Sequence, residues 1–392
     1  MDKFDCVVIG AGMVGAASAL SLAQLGLKVA VVEKIEPKPF DSEQTFDLRV
    51  SAISISSQHL LEQLDAWQQI SQWRLCPYKR LGVWELEPSY TEFSAAEIEQ
   101  THLGHIVENR LIQLSLWEQI NQHENIELFC PESLVDFEQT SEQSLDEVKV
   151  QLSNHTITTK LLIAADGANS QVRQLAKIGT TGWDYQQSAM LINVETVLPQ
   201  QDITWQNFRP TGPVAMLPMP GNNASLVWYH EKEEITRLSK LPNEQLQTLV
   251  MEAFPKKLGD IKVIDKASFP LTRRHANQYQ KHRVLLLGDA AHTINPLAGQ
   301  GVNLGFKDVK ALQVIIAKAI GEGKCWHDID VLSAYEKERR NDNLLMMSAM
   351  DMLYSGFSHP SPLAKLVRNS GLFITNKLPH LKNKALAYAC GI

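Results

Sequence analysis

The stretch from Cys6 to Leu27 carries no charged side chain, which is long enough to raise a signal peptide or a membrane-spanning helix. Its flanks and its interior argue against both. Asp2 and Asp5 outnumber Lys3, so there is no basic leader, and Gly10, Gly12, Gly15 and Gly26 interrupt the apolar run. A soluble reading accounts for every residue. FDCVVI (4–9) is a β-branched run suited to a buried parallel strand, and GAGMVG follows as a glycine turn. Residues 16–25 have helical character, and KVAVV (28–32) is a second strand ending at Glu33. In this GxGxxG spacing Gly10 permits the tight turn and Gly12 lets the backbone approach a pyrophosphate. Gly15 lets the helix pack on the strand. Glu33 lies where an acid accepts hydrogen bonds from an adenosine ribose. The motif serves FAD and NAD alike, while the acid disfavours the 2′-phosphate of NADP.

Two further glycine–aspartate signals follow. In KLLIAADGANSQVR, residues 161–165 read as a strand, Asp166-Gly167 as a turn, and Ser170 and Arg173 as a helix start. In HRVLLLGDAAHTINPLAGQGVNLGFKD, residues 284–287 read as a strand broken at Gly288-Asp289. A glycine-rich crossing (Pro296, Gly299, Gly301, Gly305) then enters a long helix with Val302, Phe306, Val309 and Leu312 at helical intervals. A carboxylate at such a strand end suits sugar or ribitol hydroxyls. Backbone N–H groups at a helix start suit a negatively polarised carbonyl.

Taken together, GAGMVG, ADGANSQVR and GDAAHTINPLAGQGVNLG resemble, in order and spacing, the class A flavoprotein aromatic hydroxylases. DLRVSAIS (47–54), VENRLIQLSLW (107–117), FPLTRRHANQY (269–279), MDMLYSGFSHP (350–360) and LVRNSGL (366–372) are similar to the branch that serves ubiquinone biosynthesis. The resemblance covers essentially the whole chain. It implies an α/β fold, with a Rossmann-like FAD-binding domain assembled from 1–75, 106–180 and 275–340. A mostly antiparallel substrate domain of the p-hydroxybenzoate hydroxylase type would be inserted as 76–105 and 181–274, and a helical region would close the chain at 341–392. It implies FAD as cofactor, dioxygen as co-substrate, and NADH, NADPH or a reductase partner as electron donor. The implied reaction is hydroxylation of a polyprenylated demethoxyquinol ring through a flavin hydroperoxide. The alternatives are another ring position, another aromatic, an isoprenoid-lipid reductase and a non-catalytic FAD scaffold.

Carried over by position, Gly10, Gly12, Gly15 and Glu33 would hold the ADP half of FAD, with Arg110 beside it. Asp166 and Gly167 would support the pyrophosphate, and Asp289 the ribitol. Pro296, Gly299, Gln300 and Gly301 would line the isoalloxazine. Arg49 would border flavin and substrate, the alternative being a salt bridge with Asp47 or Glu33. Tyr229, Phe269, Pro270 and Leu271 are candidate pocket residues, with ordinary packing as the alternative. His292 reads as a structural hydrogen-bonding residue, His275 is ambiguous, and no acid–base residue is assigned.

Between the motifs, residues 82–87 and 91–94 flank Pro88-Ser89 as a hairpin candidate. Strand-like segments 189–197, 214–218, 225–230 and 261–269 are punctuated by prolines 210, 213, 218 and 220, with a helix over 243–254. Composition narrows the function. Lys plus Arg is 37 against 44 acids, so no basic excess recruits nucleic acid. Cys6, Cys76, Cys130, Cys325 and Cys390 form no metal or disulfide pattern and fit a reducing cytoplasm. HExxH and GxSxG are absent, and His102 and His105 read as a surface turn with no metal ligands around them. The net charge of −7 is uneven. Beyond Asp351 there is no acid, while Lys365, Arg368, Lys377, Lys382 and Lys384 lie among apolar residues. Such a tail fits peripheral membrane contact or a ubiquinone-biosynthesis complex, the alternative being helices packed on the body with lysines in solvent.

Overall fold

The computed structural model describes residues 2–139, 147–294, 299, 301–358 and 361–392. Strand Asp2–Ile9 stands at the centre of a parallel sheet. It pairs with Val29–Val32 on one side and Thr156–Ala164 on the other. Ile126–Phe129 and Val284–Leu286 extend the sheet outward in the same sense. Leu134–Gln139 and Val148–Leu152 add an antiparallel wing.

Burial explains the chargeless stretch. Val7 and Val8 are fully buried, and helix Met13–Ala23 is buried continuously from Gly15 to Ala23. A strand and helix enclosed on all sides need no charge. The long helix Gly301–Gly321 crosses the first helix at Gly305, where a Cβ would lie 2.5 Å from Val14 Cγ2.

A second sheet of eight strands is antiparallel except where Ile203–Asn207 runs parallel to Arg80–Trp84. Its hairpin Arg80–Trp84 and Thr91–Ser94 forms as the sequence predicts. The 261–269 segment is longer than expected. It continues as Ile261–Ala276 and pairs with His292–Thr293, joining this sheet to the GDAAH turn. Period-two alternation divides the sheet into two faces. Met190, Ile192, Leu226, Trp228 and Met216 pack under helices Lys232–Ser239 and Asn243–Ala253. Their neighbours Leu191, Val227, Tyr229, Ala215 and Leu217 point the other way, into a cavity.

Helices Ile329–Ser358, Pro362–Lys377 and Pro379–Cys390 complete the chain. The last packs Leu386 and Cys390 against Ile55, Ala95 and Leu103. No helix among the described residues is long and apolar enough to cross a membrane.

Candidate active site

The glycine turn is built as the motif requires. Gly10 has φ +97°, and a Cβ on Gly15 would lie 1.9 Å from the Gly10 carbonyl oxygen. A Cβ on Gly12 would meet only open space, the side from which a phosphate can approach. Glu33 braces this turn: its carboxylate accepts from Ala11 N at 2.8 Å, Lys34 N at 2.8 Å and Ile35 N at 3.2 Å. The Ala11 carbonyl accepts from Gln113 Nε2 at 2.9 Å and Trp117 Nε1 at 2.7 Å. Sequence reasoning passed over these two, although their i, i+4 spacing puts them on one face of helix Asn109–Gln122.

Arg110 fastens the loop that follows Glu33. It donates to both Asp47 oxygens at 2.9 and 3.1 Å and to the carbonyls of Lys38 and Pro39 at 2.9 Å. Asp47 is thus occupied by Arg110 and Glu33 by backbone amides. Arg49 makes no ion pair with either and lines the cavity instead.

Asp166 Oδ2 accepts from Gln171 N at 2.7 Å and Val172 N at 3.1 Å, while its buried Oδ1 has no partner. Gly167 turns the chain at φ +79°. Arg173 then donates to the carbonyls of Ala290 at 2.7 Å and Ala168 at 2.8 Å, locking the second motif to the third. Asp289 presents an exposed side chain, yet dense protein around it raises its carboxyl above the usual range, against the pull of His292 and Arg49. Pro296 and Gln300 lie outside the described residues. Gly299 has φ +63°, and Gly301 opens the long helix with free space around it. Asn303 ties that helix start to a small three-stranded sheet, in which Gly104–Glu108 pairs with Val50–Ser54 and Cys76–Tyr78. It donates to Ala52 O at 2.8 Å and accepts from Ser57 Oγ at 2.8 Å. A buried oxygen left without a donor, open space over Gly12 and Gly301, and a carboxylate at the third turn fit a dinucleotide.

Beside Arg49 and Gly299 opens a cavity of about 420 Å³, in the size range of a small-molecule site. Its walls are mostly apolar: Val50, Ala52, Leu191, Phe208, Ala215, Leu217, Val227 and Phe269, with Met350, Leu353, Leu386 and Ala389 contributed by the carboxyl-terminal helices. Tyr229, buried to 3% exposure, lines it. The Tyr229 hydroxyl makes no hydrogen bond among the described residues, and burial pushes its pKa up, so it stays a neutral donor. Pro270 is exposed, and Leu271 is fully buried in the cluster around Tyr185 and Met347. Neither is among the residues that line the cavity.

The FAD binding domain family matches residues 3–347. The 3-demethoxyubiquinol 3-hydroxylase of Escherichia coli K12 is 44% identical over 99% of this chain and 98% of its own length. The mitochondrial ubiquinone biosynthesis monooxygenase COQ6 of Danio rerio is 34% identical over 99% of this chain and 90% of its own. This chain belongs to the FAD-binding flavoprotein hydroxylases. The crystal structure of p-nitrophenol 4-monooxygenase PnpA from Pseudomonas putida superposes with a TM-score of 0.81, covering 98% of this chain and 97% of that one at 18% identity. That likeness carries the fold alone. The fold read from three motifs is therefore that of the family, with FAD as its cofactor.

In this flavoprotein His292 is structural. Its Nε2 sits 2.6 Å from Asp308 Oδ2, and both side chains are buried. Asp308 also accepts from Gly288 N at 3.0 Å, Arg339 Nε at 2.8 Å and Asn343 Nδ2 at 3.2 Å. Burial would raise the Asp308 carboxyl, but the charge and hydrogen bond of His292, with Arg339 behind them, hold it at about 2. Through Asn343 and Tyr279 the network reaches His275, whose pKa burial lowers to about 4 with help from Arg340. Neither Asp308 nor Arg339 was singled out in the sequence. Asp308 stands on helix Gly301–Gly321 and Arg339 on helix Ile329–Ser358, where nothing in the local sequence marks a charged residue as buried. His105 corrects the expectation of a surface turn. It is buried on strand Gly104–Glu108 against Trp67, and burial lowers its pKa to about 4.

Proposed function

We propose that this chain hydroxylates the ring of a polyprenylated demethoxyquinol during ubiquinone synthesis. The observation that carries this reading is the cavity. Its lining joins the flavin motif residues Arg49 and Gly299 to apolar residues of the carboxyl-terminal helices, Met350, Leu353, Leu386 and Ala389. A quinol head fits the polar end, and the start of an isoprenoid chain fits the remainder. The name of the Escherichia coli relative supports the ring position.

FAD, when bound and reduced, supplies the activation of dioxygen that the side chains lack. The chain's own residues do the rest. Gly12, Gly301 and the free Asp166 oxygen receive the cofactor, and Asp289 stands ready for its ribitol hydroxyls. The apolar walls exclude water, and the Tyr229 hydroxyl can hold a quinol oxygen in place. NADH, NADPH or a reductase partner delivers the electrons. The five free thiols fit a reducing cytoplasm, with a quinone-synthesis assembly as partner.

The test is oxygen-dependent turnover of a short-tailed demethoxyquinol by the FAD-loaded protein. Gain of one oxygen atom by product mass is expected. Hydrogen gained without oxygen would make the protein a reductase. Peroxide with no oxygenated quinol, joined to full rescue of quinone synthesis in cells by a flavin-free variant, would make it a scaffold. In a deletion strain the accumulated intermediate identifies the ring position.

A further inference from the structure

Helix Pro362–Lys377 is built inside out. The side chains it turns toward the protein are polar. Arg368 pairs with Glu85 at 2.7 Å, with both side chains below 10% exposure. Asn369 donates to Glu85 Oε2 at 2.8 Å and accepts from Ser89 Oγ at 2.6 Å. Asn376 donates to the Tyr90 carbonyl at 2.9 Å. The residues it turns outward are apolar: Leu363 and Leu366 are 70% and 64% exposed, Val367 64%, and Phe373 and Ile374 both 52%. Their spacing of three, four and seven residues makes one continuous stripe. An anchored helix that turns Arg368 and Asn369 inward and holds its large apolar residues in water has a surface made for a partner.

Charge selects that partner. Lys365 and Lys377 are exposed on this helix and Lys384 on the next, and none forms an ion pair among the described residues. No acidic residue follows Asp351. An apolar stripe on a helix that carries Lys365 and Lys377 and no acid matches the interface of an anionic bilayer, where apolar residues enter the acyl boundary and lysines meet phosphates.

The cavity adds a second, independent observation. Among the residues that line it, Arg49, Leu353 and Ala389 are exposed. Arg49 marks the flavin end. Leu353 and Ala389 belong to the helices on either side of Pro362–Lys377 in the chain. The cavity therefore reaches the surface within the same helical region.

We propose that the outward face of helix Pro362–Lys377 docks on an anionic phospholipid surface, so that a prenyl tail stays in lipid while its ring enters between Leu353 and Ala389. The choice of lipid as occupant deepens the reading of a tailed quinol substrate and rests on it. The charge asymmetry alone pointed to the extreme carboxyl end. The structure moves the contact upstream, because Lys382 is paired with Glu97 at 2.8 Å and helix Pro379–Cys390 packs inward through Leu386 and Cys390.

The test uses the full-length, FAD-loaded protein in flotation assays. One set of vesicles is phosphatidylcholine alone, and the other is phosphatidylcholine with phosphatidylglycerol. The wild type should float with the anionic vesicles. Leu366→Glu combined with Phe373→Glu should reduce binding by about tenfold or more, since binding scales with the apolar area inserted. Lys365→Gln with Lys377→Gln should remove the preference for phosphatidylglycerol. Flavin absorbance and melting temperature should match the wild type in both, because these side chains are outside the core. The proposal is overturned if the wild type floats with neither vesicle, or if the Leu366/Phe373 variant floats equally well. It is also overturned if that variant merely breaks a dimer seen by sedimentation, which would assign the face to a second copy. Turnover is measured separately. A protein that floats but oxygenates no quinol refutes the hydroxylase reading alone, and one that oxygenates a short-tailed quinol but never floats refutes the docking alone.

Discussion

At the first glycine turn, atoms are placed by backbone geometry that tolerates almost no variation. A single added carbon at Gly15 would fall 1.9 Å from a carbonyl oxygen. In the cavity wall, Met350, Leu353, Leu386 and Ala389 meet side chains from several distant strands, and their shared requirement is to be apolar and of suitable size. The difference teaches where specificity can change without loss of fold. Exact positions bind what the family has in common, and permissive ones face what distinguishes its members.

The sharpest way to break the comparison is Gly15→Ala. The clash is with the Gly10 carbonyl, and Ala165 Cβ stands 3.1 Å away, so the first helix must move off the central strand. Loss of copurified flavin and a destabilisation on the order of 4 kcal/mol or more are expected, read by flavin absorbance and thermal melting. Ala215→Val at the cavity should keep its flavin and lose at most about 1–3 kcal/mol. Equal behaviour of the two variants would remove the distinction.

Between the two regions lies the buried network around Asp308, which holds Gly288 and His292 of the third motif against helix Ile329–Ser358. Asp308→Asn leaves Arg339 and His292 without their shared counter-charge, at a cost of about 3–5 kcal/mol. Urea unfolding measures it, and flavin should loosen in parallel. The pH dependence has a definite sign. Asp308, depressed to about 2, stabilises the fold above the unfolded carboxylate range and loses that contribution only as pH falls from about 4 toward 2. His275, lowered to about 4 by burial, binds its proton more readily unfolded, so stability falls as pH drops from about 6.5 to 4. Two and a half units correspond to as much as about 3 kcal/mol. Wild-type unfolding free energy should therefore decline across that upper window, and His275→Gln should lessen the decline, leaving the part that the equally lowered His105 contributes. A flat wild-type curve would mean that the histidine is not held neutral.

What the sequence made legible follows the same division. Gly10, Gly12 and Gly15 were readable because their roles are local: turn, approach and packing lie within six residues. Asp166 and Asp289 were readable because each ends a short apolar strand. Arg173, Gln113 and Asn303 were not. Their bonds to Ala290, Ala11 and Ala52 join segments far apart in the chain, and an arginine, glutamine or asparagine on a helix carries no mark of its distant partner. The sheet's existence was legible from alternating strands and prolines, but its cavity face was not. Leu191 and Ile192 are equivalent in composition, and only the pairing register sends the first to the cavity and the second to the core. His105 was misjudged because a pair of histidines beside a glycine looks exposed until the small sheet covers one of them.

Tyr229 sharpens the comparison with the smallest expected effect, because its hydroxyl is a buried polar atom in the cavity wall with no hydrogen bond among the described residues. Its neighbours Val227 and Leu217 offer only surface. Burial keeps its hydroxyl neutral, so it serves as a hydrogen-bond donor and not as a base. If that donor meets a quinol oxygen, Tyr229→Phe removes one neutral hydrogen bond worth about 0.5–1.5 kcal/mol, a fall of up to about tenfold in kcat/KM. Flavin content and stability should be unchanged, since the hydroxyl makes no bond in the fold. The split between constants then assigns its role. A raised KM with unaltered kcat means that the hydroxyl holds the ring equally in the ground and transition states. A lowered kcat means that it aligns the ring during oxygen transfer. Unchanged values for both would place the ring away from Tyr229, nearer Arg49 and Phe269. In that case the wall at Tyr229 is purely apolar, and the polar recognition belongs to the flavin end alone.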